Sequence, residues 1–388
     1  MERVGVLSGY LRGSEAIVRE TLALADIEIG GGGPIPLYVH DERFYDRVLT
    51  QGAFGFGESY MDGWWDCDRI DQLVYRILEE DLISRIPRDW RIAVSWLRAQ
   101  LLNLQSAPRA AQVAHAHYDL GNDFFAAMLG RTMTYSCAYW PRASTLDEAQ
   151  EHKLELVCRK LDLGPGDHVL DIGCGWGAFA RLAAERTGAR VTGVTVSAPQ
   201  AAFAREHCKG LPVEIHVMDY RAPELLRAGP FTRIVSIGMF EHVGTKNYRT
   251  FMQIAREAMG RDGMLLLHTI GRTGWCDSVE PWVDRYIFPN GVLPTLTELT
   301  ESIDRLFVME DWHSFGGDYD RTLVAWNANF ERAILENDPR IPASDRFRRM
   351  WRFYLLSFAA SFRARTRMQL WQLVLSARGV RPVYRSPR

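Results

Sequence analysis

The stretch that most constrains this chain is VLDIGCGWG, residues 169–177. An apolar run carries one acid, Asp171, and then meets glycines at 173, 175 and 177. That order reads as a buried strand passing through a tight turn into a helix. Glycines at such a turn let backbone amides come close to a ligand at the helix N-terminus. The surrounding sequence has to decide which ligand.

From about Thr145 the chain alternates between the two periodicities. STLDEAQEHKLELVCRKL opens with a capping box, Thr145 as cap and Glu148 three residues on. DHVLDIG (167–173), ARVTGVTVS, VEIHVMDY, FTRIVSIGM and GMLLLHTIG read as five strands, with helices between them. LFVMEDWHSF (306–315) and MQLWQLVLSA (368–377) are two more strand candidates, separated by helices near 318–336 and 345–366. Strand–helix alternation implies an α/β fold with a doubly wound, mostly parallel sheet of seven strands.

The dinucleotide fingerprint is GxGxxG with an acid at the end of the second strand. Here the spacing is GxGxG, and the second strand ends VTVSAPQ without an acid. S-adenosylmethionine fits better, since it has no pyrophosphate to seat. Asp171 is then placed to pair with its ammonium or to order water. Thr195 and Gln200 are candidates for holding the ribose. Asp219, after the third strand, would meet the adenine amino group, with Tyr220 as a stacking wall.

Residues 1–104 read as a smaller, mainly helical N-terminal domain. DRIDQLVYRILEEDLISRI (68–86) and RDWRIAVSWLRAQLLNL (88–104) both carry apolar residues at helical spacing. Residues 105–116, which begin QSAPRAAQ, form a linker, and 117–388 form the catalytic domain. IGGGGPIP (29–36) reads as a loop. No apolar run reaches 18 residues and the N-terminus has no signal-peptide core, so the expectation is a cytoplasmic protein without a spanning helix. The six cysteines show no metal spacing, and no metal site is expected. Net charge is −2, yet residues 341–388 hold eleven arginines, no lysine and one acid, Asp345. A basic, aromatic-rich segment suits an anionic surface, either lipid headgroups or nucleic acid. The competing reading is a set of ion pairs with the acidic remainder. The stripe Trp351, Phe353, Tyr354, Phe358 and Phe362 is expected to be core.

Further motifs narrow the reading. HYDLGNDFFAAMLGRTMTYSCAYW (117–140), GMFEHVGTKNY (238–248), LLHTIG (266–271), YIFPNGVLP (286–294) and DWHSFGGDYDRTLVAW (311–326) stand in this order. With FGFGESYMDGWWDCDRIDQL (54–73) near the start, the chain resembles the cyclopropane-fatty-acyl-phospholipid synthases over nearly its whole length. Mycolic acid cyclopropane synthases look similar from about residue 110 onward.

The resemblance implies a methyltransferase-type sheet and a definite activity. A methylene from S-adenosylmethionine is added across a cis double bond of an unsaturated phospholipid acyl chain, giving a cyclopropane ring. It implies a bound bicarbonate ion as general base, with Cys137, Glu241, His268, Tyr319 and the Ile270 backbone as its ligands. Cofactor contacts carry over to Tyr135, Ser136, Gly173, Gly175, Gly177 and the residues named above. It also points to a homodimer joined through the N-terminal units. A substrate bond in the middle of an acyl chain, with no spanning run for anchoring, sets the expectation of peripheral association with the inner face of the cytoplasmic membrane, and no nucleic-acid partner is expected.

The chemistry gives reasons for these residue types. An alkene is a weak nucleophile and needs a methyl donor held in line in a dry site. The resulting cation on the chain is stabilised by aromatic faces, for which Tyr135, Tyr139, Trp140, Phe240, Tyr286, Phe288 and Tyr319 are candidates. A proton must then leave the new methyl group. His268, Tyr319 and the Ile270 amide would donate to bicarbonate, while Glu241 would accept from it and orient His268. Each residue also has a plain structural reading: Cys137 as a small core residue, His268 as a satisfied buried histidine, Tyr319 as a loop anchor. His117 and Asp119 serve equally as a gate or a helix cap. YIFPNGVLP reads as a lipid-facing lid, being apolar at Ile287, Phe288, Val292 and Leu293. Another S-adenosylmethionine enzyme on the same scaffold, forming methyl branches or methylating a small amine, and a non-catalytic lipid carrier are the rival readings.

Overall fold

The computed structural model describes residues 13–31, 33–82, 120–273, 280–364 and 368–388. The helix expected over 88–104, the linker at 105–116, His117, Asp119 and Cys276 lie outside the described residues.

The N-terminal region holds helices Ser14–Ala23, Arg43–Met61 and Ile70–Glu79 and a three-stranded sheet: β1 (Glu28–Ile29), β2 (Pro36–Val39) and β3 (Trp65–Asp66). Part of the segment read as a loop therefore pairs, β1 with β2 in parallel. Two-residue strands are too short to show a period-2 pattern, which is why the sequence does not reveal this sheet.

The main sheet has seven strands: β4 (His168–Ile172), β5 (Arg190–Thr195), β6 (Val213–Val217), β7 (Phe231–Ile237), β8 (Met259–Arg272), β9 (Val308–Ser314) and β10 (Met368–Ser376). Their order is β6-β5-β4-β7-β8-β10-β9. β10 runs antiparallel to both β8 and β9, and the pairs from β6 to β8 are parallel. The period of two sorts the side chains. Val169, Leu266 and Val374 face the layer with Leu154, Val157, Phe179 and Ala183. Leu170, Leu265, Leu267, Leu373 and Leu375 face the other layer, with Phe251, Met252, Leu299 and Ile303. Both faces are covered, so the central strands read as continuous apolar runs.

A third core cluster joins the N-terminal region to the catalytic part. Phe44, Tyr60 and Trp65 pack with Phe124, Trp326, Trp351 and Phe353. The aromatic stripe of helix Asp345–Ala364 is core as expected: Trp351 and Phe362 are fully buried. Its arginines mostly pair within the chain. Arg346 reaches Glu58 and Asp62, Arg349 reaches Asp66, Arg352 reaches Glu331, and Arg363 reaches Asp71 and Asp320. At the end of the chain Arg388 holds Asp311, which also receives the buried Lys160. Among the described residues no helix is long and apolar enough to cross a membrane.

Candidate active site

β4 is the central strand at which the order reverses. β5 and β6 lie on one side and β7 on the other. Loops leaving the C-terminal ends of β4 and β7 diverge there and open a crevice, the usual ligand position in such sheets. Asp171, near the end of β4, lies opposite Gly193 of β5 and Val235 of β7. Gly173 has φ +82°, and a Cβ there would stand 2.7 Å from the Met239 side chain on the loop after β7. Gly177, also at φ +82°, caps helix Ala178–Thr187. Both positions need glycine for conformation, and Gly173 for space as well.

The crevice is a cavity of about 200 Å³. It is lined by Tyr135, Ser136, Asp171, Gly173, Gly175, Thr195, Gln200, Asp219 and Tyr220. Gly177, the remaining expected cofactor residue, sits behind it against Ala204 and Cys208. Thr195 Oγ1 donates to Gln200 Oε1 at 3.2 Å, so the two residues expected at the ribose are joined. Asp219 is committed to Arg221, accepting from its backbone and guanidinium at 2.6–2.9 Å. Arg221 lines the same cavity and lies over the Tyr220 ring at 5.2 Å. Trp176, inside the glycine turn, donates to Asn122 at 2.8 Å and forms part of the wall.

Burial raises the Asp171 carboxyl to about 7, with Lys153 opposing the rise. Its Oδ2 is buried and unpartnered among the described residues. An orphaned buried carboxylate oxygen beside a glycine turn suits a ligand that brings a cationic donor. The donor set therefore fits the ammonium end of S-adenosylmethionine.

The five residues expected around the base do not line this cavity. They come from four other places. Glu241 follows β7 in the short turn Phe240–His242, and His268 and Ile270 are on β8. Cys137 is in the segment after helix Gly121–Leu129, and Tyr319 is in helix Gly317–Leu335. That last helix fastens the cysteine segment, since Thr322 Oγ1 accepts from the Ala138 amide at 3.1 Å and Asp318 accepts from the Trp140 amide at 2.8 Å. Cys137 is fully buried, its thiol pushed up by burial. Tyr319 stacks on Phe362 at 4.4 Å.

Two expected contacts take another form. The Ile270 amide donates to Glu241 Oε1 at 2.7 Å, so it serves the carboxylate directly. His268 Nδ1 is oriented by Gln372 of β10 at 3.1 Å, in place of Glu241. With the amide donating, the ring proton sits on Nε2. Burial holds His268 well below its ordinary value, and so neutral. Burial also raises Glu241 to about 7, against the Ile270 hydrogen bond. Glu241 Oε2 and His268 Nε2 are both buried and unpartnered among the described residues. An acceptor and a donor left open in this way fit a small protic anion such as bicarbonate.

Other aromatic candidates separate. Tyr135 and Phe288 line the cavity and belong to a ring cluster with Trp326, Tyr354 and Phe358. Phe240 stacks on Tyr248 in the core, and Tyr286 bonds Glu58 of the N-terminal region. The loop 286–294, expected to face lipid as a lid, is fastened inward. Ile287 is fully buried, the Val292 amide donates to the Glu241 carbonyl, and Arg272 binds the Leu293 carbonyl. Unpaired backbone groups at the cavity rim must be satisfied, and these bonds do so.

Sequence reasoning passed over Lys153, Gln150, Gln372 and Arg221. The signal for the first was present. Lys153 shares the inward helix face with Ala149, Leu156, Val157 and Lys160, where a lysine needs a reason.

The chain as a whole is similar to known proteins. Residues 105–373 match the family model "Mycolic acid cyclopropane synthetase". A cyclopropane-fatty-acyl-phospholipid synthase of Escherichia coli (strain K12) is 47% identical over 364 residues, covering 94% of this chain and 93% of its own. Two solved structures are similar, each at 31% identity and a TM-score of 0.62, covering 69% of this chain and 98% of theirs. They are the cyclopropane synthase MmaA2 from Mycobacterium tuberculosis and the mycolic acid cyclopropane synthase CmaA1 complexed with SAH and CTAB.

Proposed function

The chain belongs to the cyclopropane synthase family and is an enzyme of the methyltransferase class, and we propose that it converts the cis double bond of an unsaturated phospholipid acyl chain to a cyclopropane ring. The observation that carries this is the crevice at the β4 switch point, where the expected cofactor residues meet around Asp171.

S-adenosylmethionine, when bound, supplies an electrophilic methyl group, and bicarbonate supplies the proton acceptor. Asp171 would hold the ammonium of the donor, Thr195 and Gln200 its ribose, and Tyr220 would wall the adenine. Tyr135 and Phe288 would face the positive charge that develops on the acyl chain as the methyl carbon bonds to it. Glu241 Oε2 would accept the hydroxyl proton of the anion and His268 Nε2–H would donate to it, with Cys137 and Tyr319 completing the seat. Ring closure then expels one proton from the transferred carbon. A protein carboxylate in contact with the cation would be open to alkylation; a small exchangeable anion is replaceable. The products are the cyclopropane lipid, S-adenosylhomocysteine and a proton.

The double bond lies deep in an acyl chain, so the enzyme would work at the inner face of the cytoplasmic membrane as a peripheral protein, as a homodimer through its N-terminal units. Incubation with unsaturated phospholipid vesicles and labelled S-adenosylmethionine tests the function. Label in the acyl chain is expected. Label in the headgroup or in no lipid would refute it.

A further inference from the structure

Lys153 has no part in the roles assigned above. Its side chain is fully buried, on helix Leu146–Lys160. Gln150 stands three residues earlier on the same helix face. Gln150 Nε2 donates to the carbonyls of Thr134 and Ser136, at 3.3 and 2.9 Å. Lys153 Nζ donates to Ser136 Oγ at 2.9 Å. Together they clamp the segment that presents Tyr135 and Ser136 to the cavity and Cys137 to the base seat. Lys153 also lines the cavity itself, in company with Asp171.

A buried ammonium and a buried carboxylate are each costly alone, and each lowers the cost of the other. Burial draws Lys153 down to about 7, opposed by Cys137 and Asp171. Asp171 is raised to about 7 by the same cause. Several described titratable neighbours are neutral or paired with each other. Cys137, Cys174 and Cys208 are held as thiols by burial. His242 and His268 are held neutral by burial. Tyr220 is raised to about 12, and Asp219 and Arg221 pair with each other at 2.6 Å.

We propose that Lys153 is a positioning residue: from the lining of the same cavity, without a direct ion pair, its ammonium favours ionisation of the Asp171 carboxyl, and its bond to Ser136 fixes the cradle, so that arrival of a cationic, ammonium-bearing ligand completes that ionisation and expels a proton. This rests on the reading of the cavity as an S-adenosylmethionine site. The chemistry it adds is a proton linkage in cofactor binding, set by a residue that need not touch the cofactor.

The test is calorimetric titration of S-adenosylmethionine into the full chain across pH 6–9, with pH 6.5 repeated in two buffers of different ionisation enthalpy. At pH 6.5 the ligand's own amine is already charged. The wild-type chain should release a proton on binding, and its affinity should rise with pH to a midpoint near 7. In Lys153→Met the midpoint should move up by roughly 1–3 on the pH scale, the range an adjacent opposite charge commands. Affinity at pH 6.5 should fall about 10-fold or more, because moving the midpoint by one on that scale changes the ionised fraction about tenfold. Asp171→Asn should abolish the pH dependence with or without Lys153. A Lys153→Met chain weakened by one factor at every pH, with the midpoint unmoved, would show a packing role and overturn the inference. Binding to the wild-type chain without proton release would overturn it too, even if Lys153→Met does not fold. No binding at all would overturn the cofactor reading itself, and this inference with it.

Discussion

Replacing Glu241 with glutamine should make the protein more stable and nearly inactive. The carboxylate is raised by burial from its ordinary 4.5 to about 7. A carboxyl that holds its proton more tightly folded than unfolded loses stability as pH rises between those two values. Each pH unit of that rise is about 1.4 kcal/mol, so the folded chain carries a penalty of ~3 kcal/mol above pH 7 that is absent at pH 4.5. Glutamine has no such titration. Its side-chain oxygen still accepts from the Ile270 amide, the bond Glu241 Oε1 makes at 2.7 Å. Denaturant unfolding at pH 5 should therefore find Glu241→Gln and wild type within about 1 kcal/mol. At pH 8 the variant should be more stable by ~2–3 kcal/mol. Turnover should fall on the order of 100-fold or more if Glu241 positions the base, with S-adenosylmethionine affinity retained. Glu241→Ala should instead destabilise at pH 5 by about 1–3 kcal/mol, because it leaves the buried Ile270 amide without an acceptor. A Glu241→Gln chain that is less stable than wild type at pH 8, or that turns over normally, would refute the reasoning.

Three further outcomes follow from the geometry. Cys137→Ser should reduce turnover only mildly, since a hydroxyl replaces a thiol as an anion ligand, and a complete loss in the kinetic assay would point to a nucleophilic cysteine. Gly173→Ala should cost about 2–5 kcal/mol, from left-handed backbone plus a forced contact with Met239, and should weaken S-adenosylmethionine binding in calorimetry; an unchanged melting curve and affinity would contradict the role given to the turn. Vesicle sedimentation should show binding that rises with anionic lipid and weakens, without vanishing, as salt is raised. Arg346, Arg349, Arg352, Arg363 and Arg388 are paired internally, so the exposed Arg378, Arg381 and Arg385 would supply the charge, and binding indifferent to lipid charge and salt would make the segment structural.

What was legible in the sequence was the part governed by local periodicity. Strands such as β4 and β8 are apolar runs bounded by turns, and Asp171 with its glycines lies where a strand gives way to a helix. The capping box at Thr145 and Glu148 is present as the sequence implies. Features set by distant partners were harder to read. The sheet of β1 to β3 pairs strands too short to carry a pattern. The inward fastening of loop 286–294 depends on Glu241, Tyr248 and Arg272, which no local rule connects to it. Apolar residues in a loop suggested a surface facing lipid, yet Ile287 and Phe288 pack inward, Phe288 against the rings of the cavity. The orientation of His268 by Gln372 needs the antiparallel return of β10 beside β8, which only the assembled sheet provides.

The measurement that bears most directly on the central claim is the structure of the lipid product. Unsaturated phospholipid vesicles incubated with the protein and S-adenosylmethionine should yield, by mass spectrometry and NMR, an acyl chain that has gained one CH2, lost its alkene protons and acquired cyclopropane ring protons. A methyl-branched or exomethylene chain, or a methylated headgroup with the double bond intact, would contradict the account.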